Sequence, residues 1–260
     1  MARKRSRDPM SELVSDFIDF VNSVKQTTKL EQDGRIRLNA TAWLETGLRE
    51  AWSDLASEWK GALDLTGTAL NFQALVTALD VDTTLPRETI LCLGSGPGLY
   101  EIGLASMFLD SPKGQRIELL CLDSAFGMSQ ENKQLAEQVG LPNLRVVTAD
   151  ARQLPLADGS IEQVICVDSL QWVRQWQEVV TEVARVLRPR GMRRFYCTVH
   201  PKPMAVWVEG KQYPLNQLTP EELKTYLVER GFVLESSEPV DGGTGSGRGH
   251  TGRLLVAKLR

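Results

Sequence analysis

A glycine-rich turn is the first feature of this chain whose residue types and spacing can bind a ligand. Residues 94–98 have the order Gly-Ser-Gly-Pro-Gly, follow the apolar run 90–93 and precede the start of a helix. Glycines permit a tight turn and let backbone N–H groups approach a ligand at the carboxyl end of a strand, where open α/β sheets bind nucleotides. The dinucleotide fingerprint Gly-x-Gly-x-x-Gly needs a third glycine at position 99, which is Leu99 here. The turn therefore predicts a nucleotide-binding cradle and disfavours NAD.

Two aspartates follow the next two predicted strands. Asp123 ends one strand and can accept hydrogen bonds from both hydroxyls of a ribose, as acids at this place also do in NAD enzymes. Asp150 can accept from an adenine amino group while the backbone N–H of Ala151 donates to the ring. Taken singly, either aspartate is more typical of a turn or a helix cap. Behind a glycine turn, the two together indicate a cofactor that contains adenosine.

Several longer motifs extend the pattern. Residues 94–98 match Gly-x-Gly-x-Gly, residues 123–128 match Asp-x-Ser-x-x-Met, and residues 154–162 resemble Leu-Pro-Phe-x-Asp-x-Ser-Phe-Asp. Residues 185–191 are similar to Arg-Val-Leu-Lys-Pro-Gly-Gly. With these motifs, roughly residues 88–200 resemble the Rossmann-like (class I) S-adenosylmethionine-dependent methyltransferases of small molecules. The resemblance implies an enzyme whose cofactor is S-adenosyl-L-methionine and whose cofactor-binding residues are Gly94, Ser95, Gly96, Gly98, Asp123, Ser124, Met128, Asp150, Ala151 and Asp168.

Cys92 departs from the family's pattern. The family often has an aspartate at this position, which helps to hold the ammonium group of the methionine moiety, partly through water. Asp168 follows the fourth predicted strand, close to where the family's methionine moiety lies, and can compensate for the missing charge. A helix N-cap formed with Ser169 explains Asp168 equally well. Both interpretations stay open at this stage.

The sequence says less about the methyl acceptor. Transfer from a sulfonium mainly requires alignment and exclusion of water. A base is needed for phenols and amines but not for a carboxylate, whose reference pKa is about 4. His200, directly after a predicted strand, is the candidate catalytic base, although a histidine before Pro201 can simply end the strand. His250, in a glycine-rich stretch, is a weaker candidate.

A short motif favours a carboxylate acceptor. Residues 170–172, Leu-Gln-Trp, are similar to the tripeptide of carboxyl methyltransferases such as the trans-aconitate and biotin-pathway malonyl-thioester enzymes. The four-residue spacing of Trp172 and Trp176 is also explained by packing. We expect O-methylation of a carboxylate or related small molecule. The alternatives are N- or C-methylation of a metabolite or peptide, and a non-catalytic S-adenosylmethionine-binding module.

Strands and helices alternate from residue 88 onward. Predicted strands cover 89–93, 117–122, 144–148, 161–167 and 192–199, and predicted helices cover 100–108, 129–139 and 177–187. A helix opened by Thr219 and ended by Gly231 precedes strands 232–236 and 253–258, which predict an antiparallel hairpin at the sheet edge. The fold class is α/β. We expect the Rossmann-like methyltransferase fold, with a mostly parallel seven-stranded sheet, helices on both faces, an antiparallel C-terminal strand and an N-terminal helical segment.

The chain is expected to divide near residue 84. Residues 1–84 are predicted to form a basic tail and a helical lid segment, with helices over about 8–26, 39–61 and 70–79. Residues 85–260 are predicted to form the S-adenosylmethionine-binding methyltransferase domain. The N-terminal helices and an insertion at 207–213 are expected to cover the pocket. The aromatic stripe of the second helix is nevertheless more typical of a core than of ligand contact.

Composition limits the remaining classes. The 260 residues are 42% hydrophobic and 24% charged, which is typical of a packed soluble protein, and the net charge of −3 makes a nucleic-acid partner unlikely. The chain has no apolar run of about 18 residues, so we expect no membrane association and a cytoplasmic location. Four cysteines, each in a predicted apolar strand, indicate buried thiols without a disulfide or metal site. The sequence leaves the oligomeric state undetermined.

Overall fold

The computed structural model describes residues 52, 53, 56, 65–81, 85–112, 114–199, 205–208, 211–214, 218–241 and 251–260. The predicted helix over 8–26, nearly all of the predicted helix over 39–61, and the candidate bases His200 and His250 lie outside these residues. Within the described part of the chain, no helix is both long enough and apolar enough to span a bilayer.

Five α-helices and nine strands follow one another along the described chain. In order they are α1 (Leu65–Ala78), β1 (Glu88–Leu93), α2 (Leu99–Asp110), β2 (Ile117–Asp123), α3 (Phe126–Val139), β3 (Leu144–Thr148), β4 (Gln163–Cys166), α4 (Trp176–Val186), β5 (Arg194–Val199), β6 (Ala205–Val208), β7 (Lys211–Pro214), α5 (Pro220–Glu229), β8 (Phe232–Asp241) and β9 (Thr251–Leu259). Short 3₁₀ helices occupy Gly114–Arg116 and Leu170–Trp172.

Seven strands form one sheet in the order β3-β2-β1-β4-β5-β9-β8. The strands β3, β2, β1, β4 and β5 are mutually parallel, whereas β9 runs antiparallel to both β5 and β8. The predicted fold class is therefore confirmed. Strand order reverses between β1 and β4, and ligands bind in open α/β sheets beyond the carboxyl ends of the strands at such a point.

Apolar residues cover both faces of the sheet, as expected of strands buried between helices. Ile90 and Cys92 face a core that α1, α2 and α3 contribute to, while Leu91 and Leu93 face a core that α4 and α5 contribute to. The four predicted thiols lie in these strands, and all are buried and free. Helix α1 is part of the first core through Phe72 and Leu75, which lie among residues of β5, β8 and β9.

Most element boundaries agree with the sequence to within three residues, with two larger differences. Helix α1 begins at Leu65, five residues before the predicted start. Strand β8 extends to Asp241 rather than residue 236, because its pairing with β9 continues beyond a register shift between Leu234 and Ser236. The region predicted as an insertion contains an antiparallel hairpin, β6–β7. The predicted start of α5 is confirmed, since Thr219 and Glu222 form a reciprocal capping box.

Candidate functional site

The glycine turn passes closely over the end of the neighbouring strand. The backbone N–H groups of Gly94 and Ser95 donate to the Leu122 carbonyl at 2.7 and 3.2 Å. Gly94 has φ +61°, and a Cβ atom there would overlap the Ser169 side chain beyond β4. Only glycine allows both the backbone conformation and this approach. The turn is thereby fixed between the carboxyl ends of β2 and β4, and α2 starts at its far end.

Asp123 links the end of β2 to the glycine turn. Its Oδ2 accepts from the Gly96 backbone N–H at 2.8 Å, and its Oδ1 accepts from the Ala125 N–H at 2.8 Å. Burial raises the pKa of this carboxyl group, and the backbone donors Ala125, Gly96 and Ser124 act in the opposite direction. Each oxygen retains a second lone pair for a hydroxyl donor. The carboxylate is therefore preorganised at the strand end where the sequence predicts a ribose.

Asp150 is held by a residue that the sequence analysis missed. The Asp150 carboxylate accepts from the Arg152 backbone N–H at 2.9 Å, from the Arg152 Nε at 3.0 and 3.2 Å, and from its Nη2 at 2.7 Å. The hydrogen bonds to Asp150 raise the pKa of Arg152. This fork fixes the orientation of the carboxylate. The sequence signal for this pair is local, because the arginine stands two positions after the aspartate.

Asp168 is held in an unusual backbone conformation beyond β4. Its φ is +51°, which non-glycine residues rarely adopt. Its N–H donates to Thr198 Oγ1 at 2.6 Å, and the same hydroxyl donates to Asp168 Oδ1 at 2.9 Å. Oδ2 accepts from Asn71 Nδ2 at 3.4 Å. The N-cap residue of the following 3₁₀ helix is Ser169, which makes no side-chain capping bond, so the predicted cap formed by this pair is wrong.

The predicted residues meet in one cleft at the carboxyl edge of the sheet. Its lining comprises Trp52, Gly94, Gly96, Leu122, Asp123, Ser124, Met128, Asp150, Ala151, Asp168, Ser169, Trp172 and Val173. Eight of the ten predicted cofactor residues are among them. Of the other two, Ser95 accepts a hydrogen bond from Asn132 at 3.3 Å, and Gly98 is the N-cap of α2. The predicted base, His200, lies outside the described residues.

The charged side chains among the described residues that line the cleft are all negative. All three are acids, and they stand at the carboxyl ends of β3 and β2, which are neighbours, and of β4, which lies beyond β1. Such a surface accepts hydrogen bonds and attracts cations, whereas it repels the pyrophosphate of a dinucleotide. The charge pattern therefore favours a ligand with hydroxyl, amino and cationic groups.

An aromatic pair closes one side of the cleft. Trp52 meets Trp172 edge to face, with ring centroids 4.7 Å apart. The neighbouring Ser53 Oγ accepts from the Gly127 backbone N–H at 3.1 Å, at the start of α3. A part of the chain before residue 84 thus contributes a wall of the cleft.

A buried polar cluster lies beneath the glycine turn. A hydrogen bond to Cys121, together with burial, raises the pKa of the Cys92 thiol well above its usual value, so position 92 carries no charge at neutral pH. Nearby Glu101 is 4% exposed, and one of its carboxyl oxygens has no hydrogen-bond partner. Burial raises the pKa of Glu101 to about 8. The sequence analysis identified the absence of a charge at Cys92 but missed this carboxyl group.

Gln171 is a second residue that the sequence did not single out for its side chain. It lies in the 3₁₀ helix between Ser169 and Trp172, is 5% exposed, and has no hydrogen-bond partner for either amide atom. An unpaired buried amide is costly, and such groups in native proteins call for an explanation.

Comparisons with known proteins agree with this architecture. A family model described as a methyltransferase domain matches residues 91–195. The malonyl-[acyl-carrier protein] O-methyltransferase of Methylococcus capsulatus is 32% identical over 110 residues, which are 42% of this chain and 37% of that protein. The demethylmenaquinone methyltransferase of Beutenbergia cavernae is 31% identical over 119 residues, 45% of this chain and 48% of that protein. The chain thus covers less than half the length of these relatives.

Solved structures show the same fold. A SAM-dependent methyltransferase from Aquifex aeolicus has a TM-score of 0.58 at 16% identity, covering 78% of this chain and 98% of its own. The magnesium protoporphyrin IX methyltransferase of Synechocystis, solved with bound SAM, has a TM-score of 0.58 at 17% identity, covering 99% of this chain and 100% of its own. At these identities the likeness concerns the fold alone.

Proposed function

Residues 91–195 are a methyltransferase domain of the class I S-adenosylmethionine-dependent family, and on this premise we propose that the chain methylates a carboxylate oxygen of a small organic acid. The observation that carries the cofactor half of the proposal is the row of three acids at the ends of β2, β3 and β4. S-adenosyl-L-methionine has the matching groups, namely two ribose hydroxyls, an adenine amino group, an ammonium group and a sulfonium.

Each acid has a distinct role in this proposal. Asp123 accepts hydrogen bonds from the ribose hydroxyls, using the lone pairs that Gly96 and Ala125 leave free. Asp150, oriented by Arg152, accepts from the adenine amino group beside the Ala151 N–H. Asp168 lies nearest to the methionine end and supplies the negative charge that Cys92 lacks. Gly94, Ser95, Gly96 and Gly98 shape the turn, and Ser124 and Met128 complete the wall.

The methyl-transfer step itself requires little acid–base chemistry from the side chains of the protein. When bound, the cofactor would supply a methyl group on a sulfonium, whose sulfur would leave as a neutral thioether when the bond to the acceptor oxygen forms. The chain's residues align the acceptor oxygen and exclude water, and Trp52, Trp172 and Val173 provide apolar surface for this. A carboxylate acceptor is already ionised at neutral pH. Under this proposal His200 is dispensable for a carboxylate and required for a phenol or amine.

Two observations support the carboxylate. The tripeptide Leu170–Trp172 resembles that of carboxyl methyltransferases and borders the cleft. Several similar curated proteins are named malonyl-[acyl-carrier protein] O-methyltransferases, a name that specifies an oxygen acceptor. Another similar protein is named a demethylmenaquinone methyltransferase, a name that specifies no oxygen acceptor, so N- or C-methylation is the second candidate.

We further propose that residues before 84 cover the cleft. Trp52 contacts Trp172, and both line the cleft, while Ser53 contacts Gly127, which precedes the lining residue Met128. A cover of this kind would keep water from the sulfonium during transfer.

The test uses the full chain. Calorimetry should detect binding of S-adenosylmethionine and S-adenosylhomocysteine but not of NAD. Methyl-tritiated cofactor is then incubated with a panel of mono- and dicarboxylates, malonyl thioesters, phenols and amines. A methyl ester releases tritiated methanol in base, which distinguishes it from N- and C-methyl products. Turnover with amines alone would overturn the carboxylate proposal, and tight cofactor binding without any turnover would favour a binding module.

The same assay tests whether His200 takes part in catalysis. His200→Ala should retain turnover of a carboxylate acceptor near neutral pH, because no proton has to be removed. Loss of that turnover, with unchanged cofactor affinity, would show that His200 acts on the carboxylate acceptor and would contradict its being dispensable.

A further inference from the structure

We propose that Asn71 and Asp168 together bind the ammonium group of S-adenosylmethionine, so that α1 completes the cofactor site. The proposal rests on the proposed function, since it assigns one end of the same cofactor. Asn71 lies outside the residues 91–195 that match the methyltransferase family, as does Thr198. The site would therefore depend on residues that the matched domain does not contain.

Asn71 offers an unused acceptor next to a carboxylate. It is 3% exposed, its Nδ2 lies 3.4 Å from Asp168 Oδ2, and its Oδ1 is buried without a hydrogen-bond partner. Because a carboxylate only accepts, the NH₂ side of the amide must face Asp168, which directs the carbonyl elsewhere. A buried carbonyl oxygen without a donor is the complement of a ligand that brings one.

Asp168 is held for such a role from both sides. Its left-handed backbone conformation is of the kind that persists only where the surroundings impose it, and such residues cluster at ligand sites. Thr198 exchanges two hydrogen bonds with it, one to the backbone N–H and one to Oδ1. Its carboxylate therefore has a fixed direction at the lining of the cleft.

An ammonium group fits this pair better than the other groups of the cofactor. It has three N–H donors and no acceptor, and it carries a positive charge. Asp168 supplies charge and Asn71 Oδ1 supplies a neutral acceptor, whereas Cys92, where the family often has an acid, is an uncharged thiol. The ribose and adenine groups are assigned to other strand ends by Asp123 and Asp150.

The position of Asn71 is fixed by its own helix. Its neighbours Phe72 and Leu75 are buried in the core beneath the sheet, together with residues of β5, β8 and β9. The asparagine is thus presented by a packed helix and not by a terminal tail, which is the arrangement that holds a binding group accurately.

The test compares two thioethers that differ only at this end, because the sulfonium of S-adenosylmethionine would add a second difference in charge. S-adenosylhomocysteine has the amino-acid portion, and 5′-deoxy-5′-methylthioadenosine has the same nucleoside and sulfur with a methyl group in its place. In Asn71→Leu we expect the Kd of S-adenosylhomocysteine to rise about 10- to 100-fold, as for loss of a hydrogen bond to a charged group, while that of methylthioadenosine changes less than about threefold. Asp168→Asn should give the same selective loss. Gln73→Leu replaces an exposed amide on the same helix and should change neither Kd.

The outcomes separate the inference from the function on which it rests. Parallel weakening of both ligands by Asn71→Leu would show a structural role and overturn the inference, as would no change in either. If Asn71→Leu fails to fold, the same ratio of dissociation constants is measured for Asn71→Ser. A wild-type protein that binds neither ligand would overturn the proposed function itself.

Discussion

Gly98 packs directly against the side-chain amide of Asn132. A Cβ atom on residue 98 would lie 2.6 Å from Asn132 Nδ2, and closer still to Oδ1 and Cγ. Asn132 stands on α3, and its Nδ2 donates to Ser95 Oγ at 3.3 Å. The glycine turn is thus joined to α3 by a contact that leaves no space for a methyl group.

Gly98→Ala should therefore disrupt the turn and destabilise the protein. Residue 98 has φ +84°, where an L-residue costs about 1–2 kcal/mol, and overlap with Asn132 adds about 1–3 kcal/mol. We expect a lower free energy of unfolding in urea and a weaker S-adenosylmethionine affinity. Gly140→Ala is the matched control, because Gly140 has φ +78° but nothing within 4 Å of its Cβ position. Equal losses in the two variants would mean that the Asn132 contact is unimportant.

Glu101 should make stability fall as pH rises. Burial raises its pKa from 4.5 to about 8 in the folded protein, so between these values the folded chain holds a proton that the unfolded chain has released. The contribution of Glu101 to the free energy of unfolding is then most favourable below pH 4.5, declines by at most about 1.4 kcal/mol per pH unit, and becomes level above pH 8. In Glu101→Gln this decline should be absent.

The measurement is the free energy of unfolding in urea from pH 5 to 9. The difference between Glu101→Gln and the wild type isolates this group from other titrating residues, including nearby Asp123. It should increase in favour of the variant up to about pH 8. Glu137→Gln, at an exposed site on α3, should show no such trend. A difference that is constant with pH would mean that Glu101 is ionised in the folded protein at neutral pH.

Sequence patterns predicted the fold well because the signals were local and repeated. Apolar runs such as 90–93 alternate with helical periodicity, and each run became a strand buried on both faces. The glycine turn and the two aspartates were found because each follows a strand directly. Their meeting in one cleft then follows from the parallel order of β1, β2 and β3.

Residues that act across long separations could not be found in this way. Asn71 and Asp168 are 97 positions apart, and Thr198 is 30 positions from Asp168. An asparagine in an amphipathic helix and a threonine in a strand are ordinary residues until packing places them beside a carboxylate. Glu101 was missed for another reason. An acid in the first turn of a helix is explained by the helix dipole, and its burial is visible only in three dimensions.

Asp123→Asn should weaken the binding of every ligand that contains the ribose. The carboxylate accepts from Gly96 and Ala125 on different oxygens, whereas an amide has one acceptor and must turn its NH₂ group toward one of these donors. We expect the Kd values of S-adenosylmethionine and methylthioadenosine to rise together, each about 10- to 100-fold. Asp158→Asn, at an exposed ion pair with Arg185, serves as the control and should change neither. Selective loss of S-adenosylmethionine alone would place Asp123 at the methionine end.

A substitution at Gln171 should raise the stability of the protein while it lowers its activity. Both of its amide atoms are buried without partners, so replacing it by methionine, which has similar length and no such polar groups, removes a cost that unbound protein bears. We expect Gln171→Met to raise the free energy of unfolding by about 1–3 kcal/mol. The cost to stability of an unpaired amide beside the cleft is explained if this amide binds the acceptor. The carboxylate of the acceptor can accept hydrogen bonds from both N–H groups of the amide.

The two effects should therefore have opposite signs in the same variant. Gln171→Met should melt at a higher temperature, keep its Kd for S-adenosylmethionine, and lose at least about tenfold in kcat/KM for the acid acceptor, as expected for a lost hydrogen bond to a charged group. Gln177→Met, at an exposed position of α4, adds the same apolar side chain without removing a buried amide and should change neither quantity. A rise in melting temperature with unchanged turnover would show that the amide is unpaired also during catalysis. A fall in melting temperature would show that Gln171 has a partner in solution, and the acceptor carboxylate would then have to be bound by a different residue.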